Sequence, residues 1–123
     1  MLKDGFFRII TMDKGSAAIN VVLELNPDHN IFKGHFPGTP VVPGVCMMQM
    51  VKEMVEMNTG TSMLLSKADS MKFLVVVDPL VNKVVKIDIL YKTTDETIDV
   101  TASLSAEDTV CFKFKGRFVV RNI

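Results

Sequence analysis

Two cysteines, Cys46 and Cys111, are all this chain has. That is too few for a disulfide framework, and a reducing cytoplasm is the expected setting. Histidine is as scarce: His29 and His35 lie six apart, with no Cys or carboxylate at ligand spacing beside them. No metal centre is expected from that pattern, and no cofactor. No apolar run reaches the roughly 18 residues that span a bilayer, so a membrane is not an expected partner. Residues Met1 to Arg8 lack the apolar stretch and small-residue cleavage site of a secretory leader. Net charge is missing as well. Fourteen basic and fourteen acidic residues cancel. With no basic run, nucleic acid is not an expected partner either. The one local cluster, Lys113, Lys115, Arg117 and Arg121, falls largely on alternating positions and reads as the wet face of a strand.

What remains is a hydrophobic chain of 123 residues, 48% apolar, long enough for one domain (1–123) with a real core. The pattern carries no repeat, linker or low-complexity segment. Phe6–Met12 and Ala17–Leu25 read as strands, and Asn26-Pro27-Asp28 as a turn. A loop follows to Gly44, with Ile31 and Phe32 expected to anchor it to the core. One helix then starts at the Pro43-Gly44 step and ends at Asn58-Thr59-Gly60. The second half reads as β structure: Met71–Val77, Lys83–Thr93, Thr97–Ala106 and an edge-like Thr109–Val120 with Phe112 and Phe114 inward. Thr94-Asp95-Glu96 and Glu107-Asp108 are the hairpin turns. An antiparallel meander curled around one helix is the expected α+β arrangement.

The helix is apolar over most of its circumference, which predicts enclosure on several sides. Its five methionines, Met47, Met48, Met50, Met54 and Met57, suit irregular packing. Gln49, Lys52, Glu53 and Glu56 share one stripe, and Lys52–Glu56 has the spacing of an (i, i+4) pair. Cys46, in the first turn, reads as a small buried hydrophobe.

The eleven residues GHFPGTPVVPG, Gly34 to Gly44, stand out. Three prolines fix φ and three glycines permit unusual backbone angles. Such a loop has little entropy to lose and suits a pre-organised site, with His35 and the helix start as its candidate parts.

The segment IFKGHFPGTPVVPGV resembles the signature of the β-hydroxyacyl-[acyl carrier protein] dehydratases, enzymes of the hot-dog fold. The similarity extends through Leu65–Phe73 and the closing strands, from about Phe6 to Arg121. The resemblance implies an antiparallel sheet wrapped around one long central helix. It implies a homodimer, with further pairing of dimers left open. Acyl-chain tunnels run along that interface, and each site takes its histidine from one subunit and its carboxylate from the helix of the other. The implied substrate is a 3-hydroxyacyl group held as a thioester on acyl carrier protein or CoA.

Carried over residue by residue, His35 is the base and Gly44 N–H polarises the thioester carbonyl. Phe36, Val45 and Met48 are expected to contact substrate. The departure comes fourteen residues after the histidine. The family has Glu or Asp there; this chain has Gln49, and Glu53 stands where the family has Gln. Glutamine cannot give up or take a proton at neutral pH. Gln49 and Glu53 therefore both stand as candidate catalytic residues. A dehydratase is the leading expectation, with a thioesterase or a non-catalytic acyl-thioester-binding subunit as alternatives. Pro79-Leu80-Val81, where the family commonly has Pro-Gly-Asp, is a second departure away from the chemistry.

Overall fold

The computed structural model describes residues 2–33 and 40–121. Six strands form one antiparallel sheet: β1 (Phe7–Lys14), β2 (Ala18–Leu25), β3 (Met63–Phe73), β4 (Val84–Thr94), β5 (Thr97–Ala106) and β6 (Thr109–Val120). Among the described residues, a 3-10 turn (Asn30–Lys33) and one α-helix, α1 (Gly44–Thr59), separate β2 from β3. The strand order is β1-β2-β4-β5-β6-β3.

The hairpins follow from turn chemistry. Glu107 and Asp108 both adopt positive φ, 49° and 64°, as a two-residue turn between twisted strands requires. Asp95 takes φ 55° at the β4–β5 turn. At Asn26-Pro27-Asp28 the Asn26 side chain accepts the Asp28 N–H at 3.0 Å. Period-2 alternation in β5 and β6 sends Ile98, Val100, Ala102, Leu104, Phe112, Phe114 and Phe118 to one face. Lys113, Lys115 and Arg117 take the other, the wet face expected of them.

The helix lies on the apolar face. Its Met50, Val51, Met54 and Val55 are fully buried. Burying a side chain of this size contributes about 1.5–3 kcal/mol relative to leaving it in water. The expected ends hold. Pro43 is the N-cap, and Gly60 closes the helix in the left-handed region (φ 72°) with its N–H on Glu56 O.

Three expectations change. β1 runs two residues further than Phe6–Met12, to Lys14. The third strand spans Met63–Phe73, not Met71–Val77. Its register against β6 shifts twice, between Leu65 and Lys67 and between Ala68 and Ser70. These irregularities, and exposure along nearly its whole length, erase the alternation that marks a strand. β6 is not an edge. It lies between β5 and β3, and β3 takes the edge instead.

Gly116 marks the tightest β3–β6 approach. A Cβ there would collide with the Lys67 carbonyl and stand 2.6 Å from the Phe114 ring. Gly116→Ala is expected to lower stability by about 1–3 kcal/mol in urea denaturation, by forcing the two strands apart.

Candidate active site

The Gly34–Gly44 loop reaches the helix through its described end. Val42 N–H donates to Val77 O at 2.9 Å, and Leu74 N–H to Cys111 O at 2.8 Å. These bonds hold the segment after β3 beside the helix start. Between them lies a cavity of about 320 Å³, lined by Val41, Val42, Gly44, Met47, Phe73, Leu74, Val75 and Val76. The side chains that line it are all apolar.

Pro43 offers no side-chain cap, and the N–H groups of Cys46 and Met47 both turn back to Pro43 O, at 3.0 and 3.2 Å. The earlier N–H groups, of Gly44 and Val45, belong to the turn that a helix cannot satisfy internally. They supply donors and partial positive charge, the means of polarising a carbonyl. Gly44 has a second reason to be glycine. A Cβ at this position would stand 2.6 Å from the Phe73 ring, which stacks on Phe112 with centroids 5.1 Å apart.

The polar stripe of the helix is not a solvated face. Glu53 is fully buried. Its Oε2 accepts the Leu2 N–H at 2.8 Å and the Gln49 Nε2–H at 2.9 Å; its Oε1 accepts the Lys3 N–H at 3.0 Å. Three donors compensate what would otherwise be a costly buried charge. Glu56 is engaged too, accepting the Met63 N–H at 2.9 Å, so its partner is a backbone amide rather than the expected Lys52.

The helix thus presents two different faces. Gly44 and Met47 line the cavity. Val45 and Gln49 lie on the other side, with Gln49 about 160° around the axis from Met47. Val45 is 75% exposed and Gln49 half-buried. Met48 packs on the rim of the core. His35 and Phe36 lie outside the described residues. Ile31 and Phe32 anchor the loop's start as expected, Phe32 stacking on Phe6 at 5.2 Å. His29 is occupied structurally, its Nδ1 accepting the Ile31 N–H at 3.1 Å and its ring edge-on to Phe6. Cys46 is buried, and desolvation pushes its thiol pKa up, away from nucleophilic use.

Sequence reasoning missed Met47, Phe73, Leu74, Val75 and Val76 as cavity walls. The available signal was the apolar run Phe73–Val77, read as strand; its first four members are exposed here. A second cavity, about 400 Å³, sits on the outer face of the sheet beside Leu90, Lys72, Lys113 and Lys115. The sheet separates it from the helix, and it shares no residue with the loop.

An antiparallel sheet wrapped around one buried helix, with a proline- and glycine-rich loop delivering the helix start to an apolar cavity, is the hot-dog fold. Residues 11–116 match the ApeI-like family, described as ApeI dehydratase. The chain belongs to this dehydratase family. It is 31% identical over 134 aligned positions to the 3-hydroxyacyl-[acyl-carrier-protein] dehydratase FabZ of Lactobacillus helveticus (strain DPC 4571), covering 93% of this chain and 84% of that one. Among solved structures it is similar to a chain of the dehydratase heterocomplex ApeI:P from Xenorhabdus doucetiae. The TM-score is 0.73 at 19% identity, over 90% of this chain and 96% of that chain. A putative thioesterase, YhdA of Lactococcus lactis, shares the fold at TM-score 0.62 and 9% identity, over 94% and 92% of the two chains.

Glu53→Gln must turn its amide nitrogen toward one of three N–H groups. It is expected to cost about 1–3 kcal/mol in urea denaturation and to speed hydrogen exchange at Leu2 or Lys3. Cys46, buried and with a raised pKa, is expected to alkylate at pH 8 at least about tenfold more slowly in the native than in the unfolded chain.

Proposed function

We propose that this chain is the histidine-bearing subunit of a 3-hydroxyacyl-thioester dehydratase, and that the carboxylate completing its site comes from a related hot-dog chain. One observation carries this reading. The helix position that holds Glu or Asp in the family holds Gln49, and Glu53 is sealed in the interior on three donors. Neither position of this pair therefore presents an open carboxylate to a substrate.

In this reading the thioester carbonyl sits at the Gly44 N–H and the acyl chain occupies the cavity beside Phe73 and Val76. His35 takes the C2 proton. The partner's carboxylic acid delivers a proton to the C3 hydroxyl, the C–O bond breaks, water leaves and the C2–C3 double bond remains. The free edge of β3 gives the partner a place to dock. Leu64, Leu65, Met71 and Phe73 along it, and Leu74–Val76 beyond it, are exposed apolar side chains; among the described residues that strand pairs with β6 alone. Such an edge invites pairing with another strand. The similar ApeI:P structure is a heterocomplex by its own description, which supports an unlike partner over a second copy.

The test is dehydration of 3-hydroxyacyl-[acyl carrier protein] by the purified chain alone and by the chain co-expressed with a hot-dog relative that keeps Asp or Glu at the position of Gln49. Background turnover alone, turnover in the pair, and a loss of at least about 10² on His35→Ala in the pair are expected. Full turnover by the chain alone, abolished by Glu53→Gln, would instead make Glu53 the acid. Release of free thiol without dehydration would assign a thioesterase.

A further inference from the structure

The outer face of the sheet, away from the helix, pairs its charges in all but one place. Arg117 on β6 stands directly opposite Asp99 on β5 and donates to it at 2.8 Å. Lys86 on β4 reaches Asp88 at 3.8 Å. Lys113 on β6, in contrast, stands directly opposite Lys72 on β3, and Lys115 follows two residues along on the same face. Like charges set across two strands destabilise a sheet. Among the described residues, none of these three lysines makes an ion pair.

All three line the outer cavity of about 400 Å³. In register, Lys113 faces Ser103, and Lys115 lies between Ser70 and Thr101. These three hydroxyls line the cavity as well, and among the described residues none has a hydrogen-bond partner. The one acid on the wall, Asp88, is already engaged: Asn20 Nδ2–H donates to its Oδ1 at 2.6 Å, and Lys86 lies beside the same oxygen. Leu90, 63% exposed, stands opposite Thr101 and gives the cavity an apolar flank.

The sheet register sets the scale. Residues directly opposite have Cβ atoms about 5 Å apart, and residues two apart on one strand about 7 Å. Three ammonium groups rooted in so small a triangle can close on a single tetrahedral anion. An acidic helix or a lipid surface would call for charges spread over a wider area. The lining carries three positive charges against one negative, a surplus that a phosphate dianion matches. The free hydroxyls add donors for its oxygens.

We propose that this outer cavity binds a small organic phosphate monoester, its phosphate held by Lys72, Lys113 and Lys115 and its apolar part resting on Leu90. The site stands apart from the one beside Gly44 and does not depend on the dehydratase reading. A ligand so placed bridges β4, β6 and the edge strand β3. Lys72 is next in the chain to Phe73, a wall of the inner cavity, so the ligand would brace the strand that borders both.

The test is calorimetric titration of the full chain with phenyl phosphate and with inorganic phosphate at constant ionic strength. Phenyl phosphate is expected to bind with a Kd of about 1 mM or tighter, and at least about threefold tighter than inorganic phosphate. Lys72→Gln and Lys113→Gln are each expected to weaken it about fivefold or more. Arg117→Gln, which removes the same charge outside the cavity, is expected to leave it unchanged. A matching loss in Arg117→Gln would reduce the effect to the general field of the face and overturn the site. Equal affinity for the two probes overturns the organic ligand class. No saturable binding of phenyl phosphate below about 10 mM overturns the proposal outright. That holds even where phosphatidic acid vesicles or hexaglutamate bind, since those would assign the face to a macromolecular partner.

Discussion

A single carboxylate, buried in the middle of α1, ties two distant parts of this chain together. Glu53 sits among methionines and valines, where an uncompensated charge would cost several kcal/mol. It is tolerated because three N–H groups converge on it. Two are backbone donors from a segment some fifty residues earlier in the chain, and one is a side chain one turn back along the helix. The arrangement ties the segment ahead of β1 to α1. Phe6 and Phe7, which follow that segment directly, are buried in the core, so the tie and the packing anchor the same stretch of chain. Removing the carboxylate without removing its donors would leave three N–H groups unsatisfied.

The same interaction sets what the helix can do chemically. A glutamate with free lone pairs and a path to solvent can exchange protons. Glu53 is fully buried, with three N–H groups on its oxygens, and it does not line the cavity. Swapping Gln and Glu along one helix face looks conservative on a helical wheel. In three dimensions it exchanges a group on the open side for one in the interior, about 6 Å along the axis. Catalytic positioning does not tolerate such a displacement.

How much of this could be read from the chain alone divides by range. The helix ends were legible because Pro43 and Gly60 act locally, and so were the hairpin at Glu107-Asp108 and the inward Phe112 and Phe114. The family was legible because the Gly34–Gly44 loop is contiguous in sequence. β3 was not. Its alternation is broken by two register shifts and by an outer edge that no described strand covers. The burial of Glu53 was invisible for a different reason: its donors at Leu2 and Lys3 announce nothing in their side chains, since it is their backbone that bonds. The packing of Phe73 over Gly44 was equally silent, because glycine beside proline already had a sufficient explanation as a loop residue.

The edge strand carries exposed apolar side chains on an unfilled row of backbone donors and acceptors. The cavity beside it is walled on one side by Phe73–Val76, the continuation of that same edge. In the reading proposed above, a strand added to that edge would also lie against the cavity, so docking and completion of the site would go together. Gln49, on the opposite face of the helix, does not line that cavity. A second copy would bring another glutamine to the place where that reading needs a carboxylate, whereas a relative with Glu or Asp there would supply it.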